Sequence, residues 1–187
     1  MTSGRSRRFL APEVLDEAVR ELAAMAKDEG VSVALIGGYA LQIYGSPRLT
    51  GDIDLVADAV IDALAPGEPL SFGGFQTEAP NGVPVDFVRR DDDYAPLYEE
   101  ALSRATPLPD AIDIHVRVVR IEYIAAMKMV AGRARDHADL EWIILHSGAD
   151  LPKTRRIVKQ YLGAYAAQEF DRIVEQARWK ASHGRAE

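Results

Sequence analysis

The chain of 187 residues contains no cysteine. That excludes a disulfide framework, thiolate metal sites and thiol nucleophiles. It also lacks any apolar run approaching membrane-spanning length, and its basic start (Arg5, Arg7, Arg8) is not followed by the long apolar core of a signal segment. The sequence therefore reads as soluble and cytoplasmic, with no membrane partner. Basic residues are outnumbered by acidic ones, giving a formal net charge of −7. Such a balance disfavours a protein that wraps nucleic acid with its whole surface, although a local basic patch can still grip RNA. Internal repeats and low-complexity tracts are missing too. The four histidines show no ligand spacing, so His115, His137 and His146 read as structural or surface residues.

What is present is an apolar share of 48%, enough for a sizeable core in one domain or one domain with a helical extension. The most informative stretch begins at Leu35-Ile36-Gly37-Gly38-Tyr39-Ala40 and runs on to Arg48-Leu49-Thr50-Gly51-Asp52-Ile53-Asp54-Leu55-Val56. An apolar strand ends in two glycines, a short helix closes at Gly45-Ser46-Pro47, and a polar turn leads into a second strand. Alternate residues of a strand share a face, so Asp52 and Asp54 lie side by side while Ile53 and Leu55 point to the core. Two adjacent carboxylates repel unless a proton or a cation separates them, and hard divalent cations take oxygen ligands. The pair reads as a Mg²⁺ site. Gly37 and Gly38, where strand turns into helix, let backbone N–H groups approach a phosphate closely. Together these features point to metal-assisted phosphoryl or nucleotidyl transfer.

Gly-Gly followed after a gap by Asp-x-Asp on a strand resembles the nucleotidyltransferase superfamily that includes DNA polymerase beta. The resemblance implies a third carboxylate on a later strand. Val83-Pro84-Val85-Asp86-Phe87-Val88 supplies Asp86, and Asp113 on a later strand is its rival. The closer resemblance is to the AbiEii-type nucleotidyltransferases, toxins of toxin–antitoxin pairs. It is carried by Gly37-Gly38-Tyr39-Ala40, Tyr44-Gly45, Arg48-Leu49-Thr50, Asp52-Ile53-Asp54, Lys128, Arg133, Arg135, Asp136 and Asp139-Leu140. It implies a nucleoside triphosphate (NTP) substrate, a two-metal Mg²⁺ site on Asp52, Asp54 and Asp86, and Lys128 on the triphosphate. Asp139 would orient the nucleotide site, with Asp136 as its rival. It further implies an acceptor at a tRNA 3′ end or a protein hydroxyl, and a cognate antitoxin. Many superfamily members carry Gly-Ser at the turn; Gly38-Tyr39 stands there in this chain, leaving phosphate to backbone amides and to Ser46 or Arg48. Arg48 would brace the triphosphate with a bidentate grip, whereas Thr50 reads as a turn residue. Two other readings stand beside this one: a small-molecule nucleotidyltransferase of the antibiotic-modifying kind, and a nucleotide-binding module without turnover.

Periodicity supplies the rest. Helices are expected from Pro12 to Gly30, over Asp58 to Leu64 with Asp58 as cap, over Tyr94 to Arg104, Ile121 to Ala131, Asp136 to His146, and from Pro152 to Ser182 with a break near Gly163. Strands are expected over Val31 to Ile36, Asp52 to Ala57, a hairpin through Asn81-Gly82, and Ile112 to Val119. Strands fill the first two thirds and helices the last. This predicts an α+β fold, a polymerase-beta-like core (a mixed sheet flanked by helices) over 1–120 with a helical region over 121–187. Arg133, Arg135, Lys153, Arg155, Arg156 and Lys159 form a basic-rich region available to an RNA backbone.

Overall fold

The computed structural model describes residues 9–107 and 116–183. Asp113 and His115 lie outside them. The chain opens with α1 (Pro12–Asp28), whose buried Leu15, Ala18, Val19, Leu22 and Ala26 recur at helical spacing. Pro12 sits in its first turn, where a missing N–H costs nothing. After Gly30 come β1 (Val33–Ile36), α2 (Gly37–Ile43), β2 (Ile53–Ala57), β3 (Gly74–Glu78) and β4 (Pro84–Val88). Next are α3 (Ala95–Ser103), the two-residue strands β5 (Thr106–Pro107) and β6 (Arg117–Val118), and the helices α4 (Ile121–Ala131), α5 (Ala134–His146), α6 (Leu151–Leu162) and α7 (Ala164–His183). The fold is α+β. Gly132 ends α4 in the left-handed region at φ 60°, and Gly163, at φ 91°, separates α6 from α7 where the sequence predicts a break.

The strands form one mixed sheet in the order β3-β4-β2-β1-β6-β5. β2 pairs antiparallel with β1 and parallel with β4, and β3 pairs antiparallel with β4 across the Asn81-Gly82 turn. Register decides which side chains meet. One row across the sheet reads Gln76, Asp86, Asp54, Ile36; the next reads Phe75, Phe87, Leu55, Leu35. A one-residue slip would exchange the polar row for the apolar one, so burial of the second row fixes the position of the first. Phe87, fully buried, stacks on Phe75 with ring centres 5.1 Å apart. α2 and α3 pack on β2, while α4 packs against α3, α5 and α6. A single apolar cluster runs from Leu15 on α1 to Ile173 on α7. No described helix is long and apolar enough to cross a membrane.

One predicted element is absent. Residues 58–64 form bends and one short turn at 62–63, not a helix. The Asp58 carboxylate accepts from the Ser32 backbone N–H at 2.9 Å instead of capping. The Glu29 carboxylate at the end of α1 accepts from the N–H groups of Asp62 and Ala63, at 2.6 and 3.0 Å. A distant side chain thus takes donors that a helix would need for itself.

Truncating Phe87 removes the largest buried ring of the row that sets the register. Phe87→Ala is expected to lower unfolding stability by about 3–5 kcal/mol, read from the midpoint of urea denaturation.

Candidate active site

The strand register brings two of the sequence's three acids together. Asp54 lies directly opposite Asp86 on the parallel neighbour and opposite Ile36 on the other side. Because Ile36 is the residue before Gly37, the glycine turn is delivered to the Asp54 carboxylate. A Cβ added at Gly37 would stand 1.9 Å from Asp54 Oδ2, and the residue's φ of +67° already favours glycine. The Gly38 N–H donates to the same oxygen at 3.4 Å. That amide is therefore turned to Asp54. Tyr39 is a core residue, 3% exposed, and its hydroxyl donates to Asp16 on α1. Burial drives its phenol well above its usual range, with the Asp16 contact adding to the effect.

Asp52 stands just before β2, not within it. Its Oδ1 accepts from the Thr50 hydroxyl at 2.6 Å, and Asp86 Oδ1 accepts from Gln76 Nε2 at 3.1 Å. Asp54 is pushed up to about 6, first by burial, then by the negative charges of Asp52 and Asp86; Lys128 and the Gly38 N–H pull partly the other way. Among the described residues, no three acidic or histidine side chains are gathered closely enough to hold a metal ion as they stand. The donor chemistry nonetheless fits a hard cation. Asp52, Asp54 and Asp86 offer carboxylate oxygens, and Asp54 feels the negative charge of both the others.

The positive charge nearby is already tied up. Lys128 is buried, 7% exposed, and its ammonium lies 3.0 Å from Asp136 Oδ1 and 2.7 Å from Asp139 Oδ2. The structure buries Lys128, expected on the triphosphate, between two acids. Arg48 Nε reaches the other Asp139 oxygen at 2.8 Å, and Arg133 Nε lies 2.7 Å from Asp136 Oδ2. Burial raises Asp136, but Arg133 and Lys128 outweigh it and hold the carboxyl below the usual range. Asp136 and Asp139 thus both pair with Lys128. Asp139 joins the loop before β2 to α4, and Asp136 joins α4 to the start of α5.

These groups border a cleft of about 420 Å³ whose lining includes Gly37, Gly38, Arg48, Asp52, Asp54, Lys128, Arg133 and Arg135. Asp86 is beside Asp54 in the sheet but is not among the lining residues. The sequence reading misses a further group on this cleft: Arg90 with Phe72, Tyr94 and Tyr98. The available signal is that positions 86, 88 and 90 alternate along and just beyond β4. His137 and His146 are exposed on α5, as read from the sequence. Of the basic-rich region, Lys153 pairs with Glu122 at 3.1 Å and Arg155 with Asp171 at 2.9 Å.

This geometry has two measurable outcomes. Between the ordinary carboxylate pKa and about 6, the folded chain keeps a proton on Asp54 that the unfolded chain has released, so stability falls as pH rises through that window. Asp54→Asn should therefore melt higher than the parent protein at pH 7.5 without metal, the gap closing below about pH 4; differential scanning calorimetry at the two pH values checks this. Gly37→Ala should destabilise at every pH by more than the ~1–2 kcal/mol of a left-handed alanine, since its methyl also meets Asp54; if Gly37→Ala lowers the melt of Asp54→Gly as much as it lowers that of the parent, the Asp54 contact adds nothing.

Comparison with known proteins agrees with the fold. The chain is similar to an antigenic nucleotidyltransferase-like protein from Paracoccidioides brasiliensis, at 16% identity over 94% of each chain with a TM-score of 0.54. It is more loosely similar to the antibiotic-resistance factor ANT(2'')-Ia, at 17% identity over 93% of this chain and 97% of that one with a TM-score of 0.47. No curated protein matches the sequence. A profile described as nucleotidyltransferase of unknown function, DUF6036, matches residues 13–185, and the chain belongs to that family.

Proposed function

We propose that the protein is a Mg²⁺-dependent nucleotidyltransferase that moves a nucleoside monophosphate from an NTP to an acceptor hydroxyl. The observation that carries this reading is the sheet register that sets Asp54 against Asp86 beside the glycine turn, with Asp52 one bend away. Asp52, Asp54 and Asp86 would hold the metal, which supplies Lewis-acid stabilisation of the phosphate oxygens when bound. Closing the three on a metal would turn Asp52 from Thr50 and Asp86 from Gln76.

The chain's own residues have distinct roles. Asp86 takes the proton of the acceptor hydroxyl. The acceptor oxygen bonds to the α-phosphorus as the bond from that phosphorus to the bridging oxygen breaks, and pyrophosphate leaves with that electron pair. Lys128 and Arg48 face the triphosphate and neutralise it, exchanging part of their contact with Asp139 for phosphate oxygens. Asp139 keeps both cations on the cleft while no nucleotide is bound. Gly37 and Gly38 keep the strand-to-helix turn free of side chains where the phosphates pass.

For the acceptor, the resemblance to AbiEii-type toxins supports a tRNA 3′ end or a protein hydroxyl, in a toxin held in check by a cognate antitoxin. One observation favours a second reading, a small-molecule acceptor: Lys153 and Arg155, two of the cations an RNA backbone would use, are already paired with Glu122 and Asp171.

Incubation of each α-labelled NTP and Mg²⁺ with total RNA, with protein and with a small-molecule extract tests the proposal. Label is expected in one of the three fractions, abolished by EDTA and reduced more than about a hundredfold in Asp52→Ala/Asp54→Ala. Label that persists in that variant would sink the assignment of the acids, and label in no fraction would leave a nucleotide-binding module.

A further inference from the structure

The cleft has a second wall that neither the acids nor the phosphate-facing cations use. Arg90, two residues beyond β4, places its guanidinium 5.0 Å from the ring centre of Phe72, 5.3 Å from that of Tyr94 and 5.1 Å from that of Tyr98. Asp92 grips the same group through Nε at 2.8 Å and through the adjacent Nη2. The Arg90 side chain is only 8% exposed. An arginine so enclosed has its charge answered and its rotamer fixed. It is poorly suited to binding a phosphate and well suited to stiffening the rings around it. Tyr98 is buried, whereas Phe72 and Tyr94 are half-buried and line the cleft.

The cleft is therefore two-sided in its chemistry. Arg48, Lys128 and Arg133 form one contiguous group, joined through Asp139 and Asp136. Phe72, Tyr94 and Tyr98 form another, joined through Arg90. A nucleotide has the same two-sidedness: a polyanion at one end and a planar aromatic ring at the other. We infer that Phe72 and Tyr94, held rigid by Arg90, seat the nucleobase of the NTP. This rests on the nucleotidyltransferase reading above and adds to it the residues that contact the base. Every base has a π-face, so stacking alone accepts purines and pyrimidines alike. The wall contributes affinity and orientation more than choice of base.

The test is calorimetric titration, in Mg²⁺, of α,β-methylene ATP, α,β-methylene CTP and inorganic tripolyphosphate into the full chain. The parent protein should bind both nucleotides more tightly than tripolyphosphate. Tyr94→Ala and Phe72→Ala should each weaken both nucleotides about tenfold and leave tripolyphosphate unchanged, which also shows that the fold and the phosphate end are intact. Tyr94→Phe, which keeps the ring, should bind as the parent does; a loss equal to that of Tyr94→Ala would assign the effect to the hydroxyl and overturn stacking. Unchanged nucleotide affinity in both alanine variants would overturn the inference while leaving the function standing, as it would if the wall seats the acceptor. Failure of the parent to bind any of the three probes would overturn the function and this inference together.

Discussion

Like charges placed side by side are the constraint around which this molecule is built. Asp54 and Asp86 face one another because β2 and β4 run parallel in a register fixed by the burial of Leu55 and Phe87. The apolar row cannot shift without exposing itself, so the acids cannot separate along the strands. The cost shows in Asp54, whose ionisation is resisted by burial and by both neighbouring acids. A cation bound among these acids would relieve that repulsion.

The charge nearest at hand does not fully give that relief. Lys128 pulls Asp54 toward ionisation, but its ammonium is shared between Asp136 and Asp139. Buried ion pairs of this kind add little net stability, yet removing one partner strands a charge in the interior. The network therefore behaves as a unit: Arg48, Lys128 and Arg133 are held on the cleft because Asp136 and Asp139 hold them. The same logic, with rings in place of one of the carboxylates, keeps Arg90 immobile on the other wall.

What the sequence discloses is what is local. Gly37-Gly38 and Asp52-Ile53-Asp54 stand within twenty residues of each other, and their strand and turn chemistry is written in their own side chains. Asp86 is legible because Val85 and Phe87 flank it with apolar residues on a strand. The helical breaks at Gly132 and Gly163 are visible for the same reason. The failures are of distant partners. Nothing near residues 58–64 tells that Glu29 will claim the N–H groups of Asp62 and Ala63. Nothing in the apolar stretch around Lys128 tells that two acids on the next helix will enclose it, since that depends on how α4 and α5 cross. The aromatic shell of Arg90 draws Phe72 from one loop, Tyr94 from the cap of α3 and Tyr98 from α3 itself, and only the fold puts them together. Tyr39 looks like a departure from a phosphate-binding serine; its bond to Asp16 makes it part of the scaffold that holds α1 to the turn.

The reach of Asp139 has a consequence for how the protein comes into being. Its carboxylate joins Arg48 to Lys128, linking a loop in the first third of the chain to helices in the last. On a ribosome, the strands bearing Asp54 and Asp86 emerge well before α4 and α5 exist. Until α4 and α5 have been made, neither Lys128 nor Asp139 can join Arg48 on that cleft. Long-range closures of this kind come late and slowly in folding. Vectorial synthesis thus separates the birth of the acidic centre from the completion of the pocket around it.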